Sequence, residues 1–276
     1  MTGARAEDRE NTGRGDDDMA GDELVVERDG PVQRVLFNRP DRHNAMTWAM
    51  YEGLYEACER ADADPRVKVM VLRGAGDRAF VAGTDIAQFA EFSSGADGVA
   101  YETRIERVVD RLERVRVPTV AVVRGHCVGG GLALAAACDL RIATRGSRFG
   151  VPIARTLGNC LSMNTCSLLV QHLGPARTLD LLLRARMYSG EEAHAAGFVA
   201  EVCDDGDLDE VAEEVLTRLG GHAPLTMWAA KESVRRLRRA ALPDGDDIVA
   251  AVFGSDDFHG AVRSFIAKEP PVWTGH

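Results

Sequence analysis

The sequence predicts an α/β fold that is followed by a helical C-terminal region. Up to about residue 150, apolar runs of strand length alternate with segments of helical spacing, a pattern typical of α/β domains. After residue 155 the spacing of apolar residues is almost entirely helical, and Gly-Pro and Gly-Gly pairs separate the segments. A chain of 276 residues can bury a large apolar core without a metal or disulfide to stabilise it.

The first predicted elements are a β-hairpin and a helix. Residues 23–28 and 32–37 have the composition of strands, and the Asp29-Gly30 pair between them is typical of a hairpin turn. Thr47 can begin a helix that runs to about Ala61, because a threonine oxygen accepts from the free N–H groups of a first helical turn. Further strands are predicted at residues 67–72, 119–123 and 139–143.

The second half of the chain predicts one more strand, at residues 199–203, among many helices. The predicted helices cover residues 161–173, 176–184, 190–196, 208–219, 225–240, 246–253 and 257–267. We therefore predict a core over residues 23–200 and a helical region over residues 201–276. Residues 1–22 are rich in Gly, Asp and Arg and predict a disordered acidic tail, because they carry too little apolar surface to offset the entropy of ordering.

Charge and cysteine content exclude several classes of protein. Asp and Glu total 43 against 33 Lys and Arg, for a formal net charge of −10, whereas a nucleic-acid surface needs a basic excess. The six cysteines form no C-x-x-C pair and no metal-ligand spacing, so we expect reduced thiols in a cytoplasmic protein. No uninterrupted apolar run reaches the ~18 residues that suggest a membrane span. We therefore expect neither nucleic acid nor a membrane as a partner.

Two glycine-containing turns are the strongest candidates for chemistry. Gly129-Gly130-Gly131 precedes a run of small apolar residues, and Ala82-Gly83-Thr84-Asp85 follows a short apolar run. N–H groups at a helix start have no partner inside the helix, so they can hold an anion or a developing oxyanion. A tight packing corner in which only glycine fits is the alternative for the first turn. An ordinary strand-to-helix connection is the alternative for the second, with Asp85 starting the helix.

Five short motifs follow one another along the chain, at residues 38–46, 82–86, 125–131, 138–143 and 149–152. They are similar, in this order, to N-R-P-x-x-x-N-A-L, A-G-A-D-[IL], G-x-x-x-G-G-G, C-D-[ILF]-R-I-A and F-G-x-P-E. The ordered set resembles the crotonase superfamily, also called the enoyl-CoA hydratase/isomerase family. Weaker similarity continues at residues 197–199, 223–234 and 263–273. Each motif alone is unspecific, but their order across about residues 24–273 is highly specific.

The resemblance implies a fold, a substrate and a mechanism. It implies a spiral of ββα units with a helical C-terminal trimerisation region, assembled as a trimer or a dimer of trimers. The substrate would be an acyl-CoA thioester, with coenzyme A as part of the substrate and no other cofactor or metal. The N–H groups of Thr84 and Gly130 would hold the thioester oxygen as it becomes an enolate, and Ala82 would lie near the adenine.

Two positions depart from the family pattern. Family hydratases carry glutamates in G-G-G-x-E-L and F-G-x-P-E, where this chain has Ala133 and Ile153. Hydration needs groups that activate water and deliver a proton, which neither side chain can do, and family isomerases also keep the second glutamate. We therefore expect weak hydration or none, and an acyl-CoA-binding scaffold without catalysis is the alternative function.

Five charged or titratable residues are further candidates for contact with the substrate: Arg42, His43, Asp85, Arg155 and Lys268. His43 replaces a usually apolar family residue near the bound CoA. Arg155 could hold a carboxylated acyl group or an oxyanion, with a surface ion pair as the alternative. Lys268 could attract the CoA phosphates, whereas Asp85 fits a helix start better than a substrate contact.

Three more residues are candidates with strong alternatives. Asn159 and Cys160 could line the acyl pocket, although a helix cap and a core thiol are the more ordinary roles for such residues. His126 precedes the three glycines and could act as an acid or base, but the residue at this position varies in the family.

Overall fold

The computed structural model of the protein describes residues 23–240 and 242–276, and their strands form two sheets. The large sheet contains, in spatial order, β1 (Leu24–Asp29), β2 (Val32–Phe37), β3 (Val69–Gly74), β5 (Thr119–Val123), β7 (Leu140–Thr144) and β10 (Glu201–Cys203). The small sheet contains β4 (Ala79–Ala82), β6 (His126–Val128), β8 (Arg148–Gly150) and β9 (Met187–Ser189). The disordered tail predicted for residues 1–22 lies outside the described residues.

Helices cover the sheets and form most of the C-terminal region. They are α1 (Trp48–Ala63), α2 (Gly95–Glu113), α3 (Gly130–Ala137), α4 (Ile153–Thr156), α5 (Met163–Leu183), α6 (Gly190–Ala195), α7 (Leu208–Gly220), α8 (Pro224–Arg239), α9 (Asp246–Phe253) and α10 (Asp256–Ala267). Short 3-10 turns lie at Pro40–Arg42, Ile86–Phe89 and Asp205–Asp207. The predicted α/β fold with a helical C-terminal part is confirmed.

The chain repeats a ββα unit that positions the two glycine-containing turns. A strand of the large sheet leads into a short strand of the small sheet and then into a helix, as in β3, β4 and α2, and again in β5, β6 and α3. Both β3 with β5 and β4 with β6 are parallel pairs. Because parallel neighbours end at the same edge of a sheet, the turns after β4 and β6 lie side by side.

Local signals explain several element boundaries. β1 and β2 pair antiparallel with Asp29 opposite Val32, so the predicted hairpin is confirmed. The Thr47 side chain accepts from the N–H of Met50 and begins α1. Helix α5 contains the non-helical residue Gly174, with φ 74° and ψ 160°, which agrees with the prediction of two helices separated by a Gly-Pro pair.

The segment that Asp85 was predicted to start is a short 3-10 turn and not an α-helix. Asp85 caps only a 3-10 turn, through the N–H of Ala87, and α2 begins ten residues later in the chain, at Gly95. The carboxylate of Asp97 accepts from the N–H groups of Ser93 and Ser94. This capping arrangement satisfies free donors at that point and fixes the helix start there.

The segment after residue 200 still packs on the core. β10 pairs in parallel with β7, and α7 covers one face of the large sheet. The apolar side chains of this layer are Val32, Val69, Val71, Val120, Val122, Ile142, Cys203, Leu208, Ala212 and Leu216. The division between a core over residues 23–200 and a helical region over residues 201–276 stays a prediction, as does the trimerisation role of that region.

Candidate active site

Two turns from neighbouring strands meet at one edge of the small sheet. Ala82 at the end of β4 lies opposite Val128 at the end of β6. A Cβ atom on Gly130 would lie 3.3 Å from Thr84 Oγ1 and 3.8 Å from the carbonyl carbon of Gly83. The two predicted donor residues, Thr84 and Gly130, therefore lie next to each other.

The backbone N–H groups of Thr84 and Gly130 are left open by the local structure. Met46 N–H donates to Gly83 O at 2.9 Å and Asp85 N–H donates to Met46 O at 3.0 Å, so this bridge uses the residues on either side of Thr84. Gly130 is the first residue of α3, where an N–H has no partner within the helix. Within the described ranges, neither N–H donates to a protein acceptor. Both can therefore donate to a ligand oxygen.

Backbone conformation and close packing explain why glycines stand just before α3 and in its first turn. Gly129 has φ 56° and ψ −120°, a conformation that side-chain-bearing residues avoid. A Cβ atom on Gly131 would lie 2.1 Å from the carbonyl oxygen of Val81. The packing-corner alternative thus holds for these two glycines, while Gly130 between them exposes its N–H group.

Two tyrosine hydroxyl groups hold the side chain of Thr84. Tyr101 donates from its hydroxyl to Thr84 Oγ1 at 2.8 Å, and the Tyr51 hydroxyl lies 2.9 Å from the same oxygen. Burial raises the pKa of both phenols above the usual value for tyrosine. Both phenols therefore stay protonated and serve as fixed hydrogen-bonding groups beside the open N–H donors.

These groups line a cavity of about 270 Å³. Five predicted site residues lie in its wall: Ala82, Thr84, Gly130, Ala133 and Ile153. Asn159 and Cys160, for which a lining role was one of two alternatives, also lie there. Ala133 and Ile153, the two positions predicted to depart from the family pattern, thus both lie in the wall of this cavity.

The remaining predicted site residues lie outside the cavity wall, among the residues that the structure describes. Arg42, Arg155 and Lys268 are exposed. Asp85 caps the 3-10 turn and pairs with Arg39 at 3.3 Å. These two contacts give Asp85 a structural role. His43 packs edge-on against His126, with ring centroids 6.4 Å apart, and partial burial lowers its pKa. Substrate contacts of these residues stay predictions.

The sequence analysis missed the carboxyl group of the cavity. Glu102 on α2 is 9% exposed. Among the described residues that line the cavity, no other is an Asp or a Glu. Burial raises its pKa to about 8, although the backbone N–H of Ser162 favours the charged form. The sequence did contain a signal for this residue, because Glu102 stands among apolar residues at helical spacing. Gly98, Ile105 and Val109 lie on the same face of α2.

A second apolar cavity of about 250 Å³ adjoins the first. The two cavities share Ile153, Asn159, Cys160 and Leu161. Within the part of the chain that the structure describes, Asn159 Oδ1 is buried without a hydrogen-bond partner. The two cavities therefore have part of their walls in common.

Metal-ligand clusters, disulfides and membrane-spanning helices are absent from the described residues. Over residues 23–240 and 242–276, no cluster of three or more His, Cys, Asp or Glu side chains could hold a metal ion. All six cysteines are free thiols. In the described part of the chain, no helix combines the length and apolar character needed to cross a membrane.

Comparison with known proteins decides the family. The family model described as enoyl-CoA hydratase/isomerase matches residues 27–276. The chain belongs to this family. The short-chain-enoyl-CoA hydratase of Clostridium acetobutylicum is 28% identical over 249 residues, covering 89% of this chain and 95% of the relative. The peroxisomal Δ(3,5)-Δ(2,4)-dienoyl-CoA isomerase of Arabidopsis thaliana is 29% identical over 259 residues, covering 88% and 92%.

Solved structures agree with this membership of the enoyl-CoA hydratase/isomerase family. An enoyl-CoA hydratase/carnithine racemase from Magnetospirillum magneticum superposes with a TM-score of 0.76 at 32% identity, covering 92% of this chain and 96% of that chain. The crotonase-like fold and the family predicted from the ordered motifs are confirmed. The protein is an acyl-CoA enzyme of this family, and the relatives include both hydratases and an isomerase.

The raised pKa of Glu102 predicts an unusual pH dependence of stability. Its pKa rises from 4.5 to about 8 on folding, so between these values the folded chain binds a proton that the unfolded chain has lost. Stability should therefore fall as pH rises through this window, by up to about 1.4 kcal/mol per pH unit from this group. Urea unfolding of wild type and Glu102→Gln between pH 5 and 8 measures the difference.

Removal of this carboxyl should flatten the pH dependence of stability, and replacement of the exposed Glu91 by glutamine should leave it unchanged. Parallel pH curves for wild type and Glu102→Gln would contradict the raised pKa.

Proposed function

We propose that the enzyme forms and stabilises the enolate of an acyl-CoA thioester in the cavity beside the small sheet. The observation that carries the proposal is the pair of adjacent, acceptor-free N–H groups of Thr84 and Gly130 in the cavity wall. When a proton leaves C2 of a thioester, negative charge develops on the carbonyl oxygen. Fixed donors in a water-poor cavity stabilise that charge without having to reorganise.

The surroundings of the two donors support this assignment. α3 begins at Gly130 and directs the positive end of its dipole toward the same point. The Tyr51 and Tyr101 hydroxyls fix the side chain of Thr84, so the turn holds its N–H in one orientation. The adjoining apolar cavities offer room for the acyl chain.

Hydration of crotonyl-CoA is expected to be slow. Ala133 and Ile153 place no acid or base at the two positions that family hydratases use, and a positioned acid or base typically contributes about 10²–10⁴ in rate. We therefore expect turnover at least about 10² below that of a two-glutamate hydratase assayed in parallel by loss of the enoyl absorbance. Equal rates in the two enzymes would contradict the assignment.

Hydrogen exchange tests enolate formation independently of the bond that is finally made or broken. Hexanoyl-CoA and trans-3-hexenoyl-CoA are incubated with the enzyme in D₂O, and deuterium at C2 is measured by mass spectrometry. We expect enzyme-dependent incorporation into the thioesters and none into the thioether S-hexyl-CoA, which lacks the carbonyl oxygen. Binding of the thioesters without any incorporation would contradict the proposal and favour a non-catalytic acyl-CoA-binding protein.

We further propose a cytoplasmic enzyme that works as a trimer or a dimer of trimers, with no cofactor besides the CoA of its substrate. Large apolar side chains on α8 support self-association: Leu225, Trp228, Val234 and Leu237 are all exposed in the single chain. Exposed apolar surface of this kind marks interaction sites. Light scattering during size-exclusion chromatography measures the assembly directly.

A further inference from the structure

We infer that Glu102 is the catalytic acid and base of this cavity, and that it moves a proton along the acyl chain of an enoyl-CoA thioester. The inference rests on the proposed function, because it requires the thioester oxygen to lie at the N–H groups of Thr84 and Gly130. It adds the group that removes and returns the proton.

The fold places Glu102 in the wall of the cavity that the oxyanion donors also line. Its neighbour on α2, Tyr101, touches the Thr84 side chain at 2.8 Å, and Glu102 lines the cavity that Thr84 and Gly130 line. The backbone N–H of Ser162, the residue before α5, faces the carboxyl group. The carboxyl group is thereby held between α2 and the segment that begins α5, beside the acyl site.

No ion pair accounts for this buried carboxyl group. Among the described residues, the titratable groups that face it are Tyr51 from α1, Tyr101 and Glu106 from its own helix, and Cys160 and Cys166 from the segment around the start of α5. None of these is a cation, and Glu106 is a like charge. A buried acid without a counter-charge costs stability, and such groups concentrate at functional sites.

The other titratable groups of the cavity wall cannot replace Glu102 as a base. Burial raises the pKa of Cys160 to about 12 and raises the pKa of both Tyr51 and Tyr101, so these groups hold their protons at neutral pH. Glu102, with a pKa of about 8, exchanges between carboxylate and carboxylic acid near neutral pH. That is the range in which one group serves as both base and acid.

A single acid–base group fits a 1,3-proton shift. The Glu102 carboxylate removes a proton from C2 of a 3-enoyl thioester, and the C–H electron pair forms the C1=C2 bond of a dienolate. The oxyanion that results lies at the Thr84 and Gly130 N–H groups. The Glu102 carboxylic acid then returns the proton to C4, the double bond forms between C2 and C3, and the thioester carbonyl is restored. No oxidant, reductant or second substrate is needed.

The test compares Glu102→Gln with Glu106→Gln, which makes the same change one turn further along α2. trans-3-Hexenoyl-CoA is the substrate, and formation of the conjugated 2-enoyl thioester is followed by its ultraviolet absorbance. We expect Glu102→Gln to lower kcat by at least about 10², with the Kd for hexanoyl-CoA within about threefold of wild type. Glu106→Gln should keep turnover within the same threefold.

A pH profile separates proton transfer from a structural role. In the wild type, kcat/KM should rise with pH up to about 8, as the Glu102 carboxylate forms. Glu102→Asp should retain part of the turnover and a rise of kcat/KM with pH, whereas Glu102→Gln should lose that rise. Unchanged turnover in Glu102→Gln would overturn the inference, as would parallel losses of turnover, CoA-ester affinity and cooperative unfolding.

The same experiment separates this inference from the proposed function. If wild type and Glu102→Gln both isomerise the substrate equally well and incorporate deuterium at C2, only the role of Glu102 fails. If wild type incorporates no deuterium into any thioester, enolate formation fails and the role of Glu102 fails with it.

Discussion

Replacement of Gly130 by alanine is expected to lower kcat/KM for acyl-CoA thioesters by about 10²–10³, as when one oxyanion donor no longer reaches the substrate oxygen. The added Cβ atom would lie 2.7 Å from the Tyr51 hydroxyl and 3.3 Å from Thr84 Oγ1. It therefore intrudes between the two turns, where the thioester oxygen is proposed to bind. Alanine suits the start of a helix, so the backbone of α3 can persist.

Three companion variants sharpen this prediction. Gly146→Ala is the matched control, because no atom lies within 4 Å of its added Cβ, and it should keep wild-type turnover. Tyr51→Phe combined with Gly130→Ala removes the nearest clashing oxygen and should recover part of the turnover. Gly131→Ala should instead impair folding, since its Cβ would lie 2.1 Å from a backbone oxygen.

The affinity measurement distinguishes the carbonyl oxygen from the rest of the ligand. Gly130→Ala should weaken binding of hexanoyl-CoA relative to S-hexyl-CoA, which has no carbonyl oxygen to place at the donors. Wild-type turnover in Gly130→Ala would show that the thioester oxygen binds elsewhere.

Replacement of Arg238 by methionine is expected to lower the free energy of unfolding by about 3–5 kcal/mol. Arg238 on α8 and Glu113 on α2 are only 4% and 7% exposed, and their charged groups lie 2.6 Å apart. The substitution leaves the Glu113 carboxylate buried without its main partner. Arg239, 3.6 Å from the same carboxylate, can offset part of the loss and favours the lower end of the range.

Urea unfolding at fixed protein concentration measures this effect. Arg236→Met is the matched control, because Arg236 lies on the same helix and is 71% exposed, so its replacement should cost less than about 1 kcal/mol. The double variant Glu113→Gln/Arg238→Met should be more stable than Arg238→Met alone, since no unpaired charge remains. An unfolding midpoint for Arg238→Met equal to that of wild type would contradict the prediction.

The elements that the sequence predicted well are those with local chemical signals. The Asp29-Gly30 turn, the Thr47 cap and the Gly174-Pro175 interruption each act over a few residues, so they can be recognised without tertiary information. β6, β8 and β9 were not predicted, because strands of three residues are too short to show alternation. The register of the small sheet depends on long-range pairing that no local signal encodes.

The site was predicted unevenly for a similar reason. Thr84 and Gly130 could be placed by the order of motifs around them, and the structure brings them side by side. Glu102 carries no motif, and α2 was not predicted as a helix of its own. A glutamate on the apolar face of a helix can be recognised as unusual only after the helix and its apolar face have been predicted.

The proposed oxyanion donors are main-chain N–H groups, which every residue except proline possesses, so they depend on the path of the chain more than on side-chain identity. Substitutions that replace Glu102, or that introduce an acid or base at positions 133 and 153, therefore leave this part of the site in place. A library of variants at those three positions would test several reactions of the same enolate intermediate, while the oxyanion donors stay unchanged. The protein is thus a suitable starting point for directed evolution of thioester chemistry.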